Sequence, residues 1–299
     1  MSAILDAFLS QIKEESLNLI YAQVRQNGNI LQEYSYLPVK TRLNTWSISK
    51  SFVSCAVGIA IEEGLLSLDE YVCDAFKDYV PREASENLTS LKVKHLLTMT
   101  TGLKEPLFFC DNPLRYTTKD WVAHFFNAEF DMPPGEQFLY SNFNTYILSC
   151  MIENRSEENL LEYLRGRLFE PIGINNPDWT LCPMGHIMAA NGLYVTIDEL
   201  ANFGDLLLGR GAYGGRQIVP KAYLEQACIN HIGHTKPEKK FYGYGYQFWM
   251  TPGEGEYICT GNYGQFCWVL PEKNAVISIM SLEGNYNRIK ELMFEKVEW

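Results

Sequence analysis

Trp46-Ser47-Ile48-Ser49-Lys50-Ser51-Phe52 opens a long apolar run (Val53, Cys55, Ala56, Val57, Ile59, Ala60, Ile61) that reads as a buried helix. Residues three apart on a helix share a face, so the Ser47 hydroxyl and the Lys50 amine would lie within reach of each other, a nucleophile beside a base. Thr45 or Asn44 offers a cap and Gly64 a stop. Ser47 then falls in the first turn, where backbone N–H groups and the positive end of the helix dipole favour a developing oxyanion. The chemistry is acyl transfer to serine. Spacing alone is a weak signal: Ser10 and Lys13 repeat it, and there it reads as the polar surface of a helix.

Upstream of this helix, Met1 to Glu15 is amphipathic, with Leu5, Phe8, Leu9 and Ile12 as its stripe. Leu19 to Gln26 and Asn29 to Tyr36 flank Asn27-Gly28, a strong hairpin signal. From about Tyr71 to Pro183 helical signals dominate, at Val93 to Met99, Lys119 to Asn127, Thr145 to Asn154 and Glu157 to Phe169. Pro106, Pro113, Pro133-Pro134-Gly135 and Pro171 mark the loops between them. Helices at Ile197 to Leu208 and Lys221 to Ile229 follow. Then come strands at Tyr242 to Trp249, Tyr257 to Thr260, Phe266 to Leu270 and Ala275 to Ser281, and an amphipathic helix with Ile289, Leu292, Met293 and Val297 inward. Two strands early, several late and no βαβ alternation predict an α+β fold with one antiparallel sheet built from residues 1–70 and 184–299. Residues 71–183 would form a mostly helical insertion over one face, with the terminal helices over the other.

A chain of 299 residues that is 46% hydrophobic and 20% charged buries a substantial core, as one large domain or two joined ones, and is not disordered. Net charge −11 leaves no basic stripe to neutralise phosphates, which excludes nucleic acid and anionic membrane as partners. Lys236, Lys239 and Lys240 beside Glu238 read as a solvated loop. The first residues lack a basic start and an apolar core, and no run of 18 apolar residues follows, so a cytoplasmic protein without a membrane anchor is expected. Cys55, Cys73, Cys110, Cys150, Cys182, Cys228, Cys259 and Cys267 form no C-x-x-C pair and read as reduced, buried small hydrophobes. His231 and His234, upstream of Glu238, have no third ligand at a recognised spacing, so neither a metal nor a cofactor is expected. There is no G-x-S-x-G elbow.

Lysine and tyrosine ionise at about 10.4 and about 10 in water, so neither deprotonates serine at neutral pH unless its surroundings shift it. Together they solve the problem, because a Lys50 cation favours a tyrosinate, burial favours a neutral amine, and the pair titrates jointly. Tyr140-Ser141-Asn142, after the Pro134-Gly135 turn and before a helix, is the single Y-x-N of the chain and supplies the tyrosine. A third piece is a strand whose backbone binds the acyl group and gives a second oxyanion N–H. Cys259-Thr260-Gly261-Asn262 ends a strand in a glycine-rich turn that permits close approach of a ligand.

Ser47-x-x-Lys50, Tyr140-x-Asn142 and x-Thr260-Gly261, in this order, resemble the serine β-lactamase and penicillin-binding-protein superfamily, in particular its class C β-lactamase, esterase and D-aminopeptidase branch. Leu96 to Leu103, Pro134 to Asn142, Arg167 to Gly173 and Gly192 to Leu200 extend the resemblance over nearly all of the chain after residue 44. It implies a five-stranded antiparallel sheet with flanking helices, a helical subdomain, and a site between them. It also implies Ser47 as nucleophile, Lys50 and Tyr140 as the proton-transfer pair, Asn142 as a hydrogen bonder, and the N–H groups of Ser47 and Asn262 as the oxyanion hole. The family's third motif usually opens with Lys or His, where this chain has Cys259. Uncharged esters or amides are therefore expected to be better substrates than carboxylates, unless an arginine or a lysine of the 236–240 loop supplies the cation. The resulting expectation is a serine hydrolase forming an acyl-enzyme on a small ester, amide or peptide, with a weak or true β-lactamase as the alternative. From another class, a non-catalytic ligand-binding or sensor protein would use the same fold.

Overall fold

The computed structural model of the chain describes residues 4–108, 112–232, 241–297 and 299. Cys110, His234, Lys236, Glu238, Lys239 and Lys240 thus lie outside the described residues. The first helix, α1, spans Asp6–Glu14 and buries Phe8 and Ile12. Strands β1 (Leu19–Gln26) and β2 (Asn29–Ser35) follow. Their loop is Asn27 and Gly28, with φ of 52° and 74°. Two consecutive positive φ values match the twist of a tight hairpin, which is why Asn-Gly is favoured there.

Helix α2 (Ser49–Glu62) is buried from Ser49 to Ala60. A helix apolar on all sides must be enclosed, and the side chains of α2 join one core with residues of 71–183 and of the sheet. Two of those helices bear on the site: α3 (Val93–Leu97) and α4 (Asn142–Ser156). Helix α5 (Ile197–Leu208) starts with a capping box, in which Thr196 accepts from the Glu199 N–H and Glu199 accepts from the Thr196 N–H. Strands β3 (Gly243–Tyr244), β4 (Trp249–Met250), β5 (Tyr257–Gly261), β6 (Gln265–Leu270) and β7 (Ala275–Ser281) precede helix α6 (Tyr286–Lys296).

All seven strands form one antiparallel sheet in the order β2-β1-β7-β6-β5-β4-β3. The pairing of β1 with β7 joins the two ends of the chain, with Ala22 opposite Ile279 and Val24 opposite Ile277. On one face Phe8 and Ile12 of α1 and Ile289, Leu292 and Met293 of α6 pack over these strands. Arg288 clamps the two helices together by donating to both carboxylate oxygens of Glu15, at 2.7 and 2.6 Å. On the other face Phe52 of α2 stacks on Phe203 of α5 at 3.7 Å. The α+β class and the antiparallel sheet are as expected, but the sheet has seven strands rather than the five that the resemblance implied, because the short strands β3 and β4 extend it beyond β5.

Three local expectations are corrected. The run Tyr242 to Trp249 is not one strand but the two short strands β3 and β4, because Gln247 between them takes φ of 69° and turns its N–H to the Leu97 carbonyl at 3.2 Å. Glu157 to Phe169 is not one helix: Leu160–Leu164, capped by Asn159, gives way to a wider turn over Arg165–Phe169. Ser47 is not in the first turn of α2 but in a 3-10 turn, Trp46–Ile48, just before it.

Candidate active site

The turn carrying Ser47 is fixed from both sides. Asn44 Oδ1 accepts from the Trp46 N–H at 2.8 Å and so braces this turn, but neither Asn44 nor Thr45 caps α2, whose N-cap is Ile48 with no side-chain cap. Thr45 Oγ1 bonds the Leu193 carbonyl at 2.9 Å and the Ser49 hydroxyl at 3.0 Å. Trp46 takes φ of 50°, a left-handed conformation that costs a non-glycine residue about 1 kcal/mol or more and is retained where surroundings impose it. The outcome is a half-buried Ser47 held at the mouth of α2.

Lys50, one turn further on, is 1% exposed. Its Nζ donates to Ser47 Oγ at 2.9 Å, to Asn142 Oδ1 at 2.8 Å and to the Ala190 carbonyl at 2.9 Å. Asn142 is oriented in turn by donating through Nδ2 to the Phe108 carbonyl at 2.8 Å. Ser141, at the start of α4, accepts from the Phe143 N–H and so points the Tyr140 and Asn142 side chains from a capped helix end.

Tyr140 packs against Trp249, with ring centroids 5.7 Å apart, and Lys50 Nζ stands 4.9 Å from the Tyr140 ring centroid. Burial pushes the Tyr140 phenol up, a hydrogen bond with Ser47 pulls it down, and the Tyr286 phenol adds to the rise. Burial wins. The tyrosinate that a neighbouring lysine cation was expected to favour is thus not the resting form, and at neutral pH Tyr140 holds its proton.

These groups border a cavity of about 300 Å³ that Ser47, Tyr140, Asn142, Thr260 and Asn262 all line. Its walls are aromatic, from Trp46, Phe138, Phe241, Trp249, Phe266 and Tyr286. Gly261, the last residue of β5, is buried against the turn that carries Ser47. Cys259 does not reach the cavity: its side chain is 1% exposed and joins the core, opposite Cys267 on β6. The alternation of a strand explains this, since Thr260 faces the cavity and its neighbours face away. The Cys259 hydrogen bond and burial push the Cys267 thiol up, so it stays protonated and inert.

The sequence reading missed a cation, a backbone carbonyl and an asparagine. Lys290 of α6 lines the cavity, 5% exposed, with Nζ 3.2 Å from Asn287 Oδ1 and 4.4 Å from the Phe241 ring centroid. The one signal for it was a lysine next to Ile289 on the inward stripe of α6. The Ala190 carbonyl and Asn191 belong to the segment just before the quoted Gly192 stretch, and no motif marks them. Ser10 and Lys13 lie exposed on α1. His231 accounts for both its faces, by a 2.7 Å hydrogen bond with the Gln226 carbonyl and a stack on Tyr246.

An antiparallel sheet under α2, with a serine, a lysine and a tyrosine meeting where the helices reach it, defines the β-lactamase and transpeptidase-like class. The sequence pattern of the Beta-lactamase family matches residues 20–291, and the chain belongs to that family. It is a hydrolase of the β-lactamase-like superfamily. The 6-aminohexanoate-dimer hydrolase of Paenarthrobacter ureafaciens is 23% identical over 299 residues, covering 91% of this chain and 74% of that one. Among solved structures, EstCE1, a hydrolase with promiscuous acyltransferase activity, superposes with a TM-score of 0.80 at 16% identity, over 99% of this chain and 97% of the other. A penicillin-binding protein homologue from Pyrococcus abyssi gives a TM-score of 0.76 at 21% identity, over 98% and 76%. Among the described residues no helix is long and apolar enough to cross a membrane.

Proposed function

We propose that the protein is a serine hydrolase that forms an acyl-enzyme on a small ester or amide. The observation that carries this reading is Lys50 Nζ, 2.9 Å from Ser47 Oγ and aimed there by Asn142 and the Ala190 carbonyl. Attack needs the form of the Lys50–Tyr140 pair that has lost one proton: a neutral Lys50 amine donates to Asn142 and the Ala190 carbonyl and accepts the Ser47 hydroxyl proton as Oγ attacks the carbonyl carbon. The oxyanion is received by the N–H groups of Ser47 and Asn262, at the junction of α2 and β5. The C–O or C–N bond then breaks as the pair, with Tyr140 as the phenol, returns the proton to the leaving alcohol or amine. Water enters by the reverse route, hydrolyses the acyl-enzyme and restores Ser47.

Lys290 refines the substrate class. A cation in an aromatic-walled cavity of about 300 Å³ suits a small substrate whose far end is a carboxylate. This replaces the expectation, drawn from Cys259, that uncharged substrates are preferred. A relative named for hydrolysing the 6-aminohexanoate dimer agrees with a small amide substrate.

The test is intact-protein mass spectrometry after exposure to a penicillin, a short-chain nitrophenyl ester and a fluorophosphonate. Labelling at Ser47 followed by release of the ester's acyl group supports the hydrolase. It should vanish in Ser47→Ala and persist in Ser10→Ala. Labelling without release from any acyl donor would instead make the protein a covalent sensor, and no labelling at Ser47 defeats both.

A further inference from the structure

Gln247 is a polar residue in an expensive place. It is 3% exposed and takes φ of 69°, a conformation that costs a non-glycine residue free energy. Every polar group it carries is used. Oε1 accepts from the Thr145 hydroxyl at 2.7 Å, and Nε2 donates to the carbonyls of Leu96 and Leu97 at 3.1 and 3.2 Å. The Gln247 N–H also reaches the Leu97 carbonyl, at 3.2 Å, and its own carbonyl accepts from the Ser51 hydroxyl at 2.9 Å.

The partners belong to three helices. Leu96 and Leu97 close α3, where carbonyls lack donors from a following turn of helix, and Gln247 supplies donors to both, beside the Met99 N–H that also reaches the Leu96 carbonyl at 3.4 Å. Ser51 is the neighbour of Lys50 on α2. Thr145 lies three residues beyond Asn142 on α4, on the same face. One residue thus ties α2 to α4 next to the point where Lys50 and Asn142 meet at 2.8 Å. A residue required only for volume would be satisfied by an apolar side chain in a relaxed turn. A glutamine bonded to both helices fixes their separation.

We propose that Gln247 is a positioning residue for the proton-transfer pair: by bonding Ser51 and Thr145 it holds α2 and α4 in the register that lets Asn142 aim Lys50 at Ser47. This rests on the serine-hydrolase reading. The effect on rate is steep, because a displacement of about 1 Å in a catalytic group costs on the order of 10²-fold.

The experiment measures the rate of Ser47 labelling by a fluorophosphonate, kcat and KM for a nitrophenyl ester, and thermal unfolding. The proteins are wild type, Ser51→Ala, Thr145→Val, the double variant, Thr145→Ser and Gln247→Met. The expected result is labelling slowed by about tenfold in each of the first two single variants, in kcat rather than KM, with the protein folded. Thr145→Ser, which keeps the hydroxyl, returns the rate to near wild type. The double variant is less than multiplicatively slow, since both hydroxyls act through one residue. Should Gln247→Met fail to fold, the hydroxyl deletions carry the test. The inference is overturned if both deletions label at the wild-type rate while the unfolding temperature falls, which would make Gln247 a structural tie alone. A wild type that is not labelled at Ser47 removes the hydrolase reading and this inference with it, whereas a labelled wild type with indifferent variants removes only the inference.

Discussion

A methyl group placed on Gly261 would stand 2.2 Å from the Thr45 carbonyl oxygen and 3.1 Å from Trp46 Cβ. Strand β5 and the turn presenting Ser47 therefore touch backbone to backbone, and only glycine allows it. Gly261→Ala must push them apart and separate the two proposed oxyanion N–H groups. The expected outcome is a loss of about 10²-fold in the acylation rate from a folded protein. Fluorophosphonate labelling followed by mass spectrometry, with circular dichroism as the control for folding, makes the measurement. Unchanged labelling would remove Asn262 from the oxyanion hole.

Tyr140→Phe should slow acylation by at least about 10²-fold, the scale for losing a positioned acid–base group. Because burial holds the phenol protonated, its removal should weigh more on esters with poor leaving groups, which need the returned proton, than on nitrophenyl esters. Equal losses on both would mean that Tyr140 does not protonate the leaving group.

Lys290→Gln should lower kcat/KM for a substrate ending in a carboxylate by about ten- to a hundredfold and leave its methyl ester nearly unchanged, the difference being one charge-assisted hydrogen bond of about 1.5–3 kcal/mol. Cys259→Lys will not compensate. Its ammonium would enter the core beside Cys267 and destabilise the fold by several kcal/mol, seen as a fall in the unfolding midpoint. A wild type that prefers the methyl ester would show that Lys290 does not select the substrate.

His95 accepts a hydrogen bond from the Lys92 N–H through Nδ1, at 3.1 Å. Burial, then the charges of Lys94 and Lys92, lower its pKa to about 4. The unfolded ring titrates at about 6.5, so between these values the unfolded chain holds more protons and stability rises with pH. The penalty is absent above about pH 6.5, grows as the pH falls, and is complete below about 4. Urea denaturation at pH 7 and pH 4.5 should show His95→Gln losing about 1 kcal/mol less than wild type, a figure discounted because the ring is partly exposed. Parallel pH profiles for the two proteins would contradict it.

That Ser47, Lys50 and Tyr140 meet at one place was legible because each is written within a few consecutive residues, and the apolar run of α2 announces its own burial. Lys290 was not, since its place in the cavity depends on how α6 lies over the sheet, a relation between residues far apart in sequence. The β3–β4 break was illegible for a different reason. Tyr242 to Trp249 has the composition of a strand, and only the tertiary contacts of Gln247 with α2, α3 and α4 select a left-handed turn over that propensity. The cysteine of the third motif falls in the strand as read, but strand alternation turns its side chain to the core and away from the cavity, which the motif itself does not reveal.

The pairing of β1 with β7 has a bearing on how the protein is made. Leu19 to Gln26 leave the ribosome some 250 residues before Ala275 to Ser281, so the β1–β2 hairpin is born with its central edge open and must wait for the last strand. During translation that edge, carrying Ala22 and Val24, is the segment most exposed to wrong pairing with another nascent chain. A stop codon before β7 would cost more than the strand and helix α6 that it deletes, because it strands the beginning of the polypeptide as well.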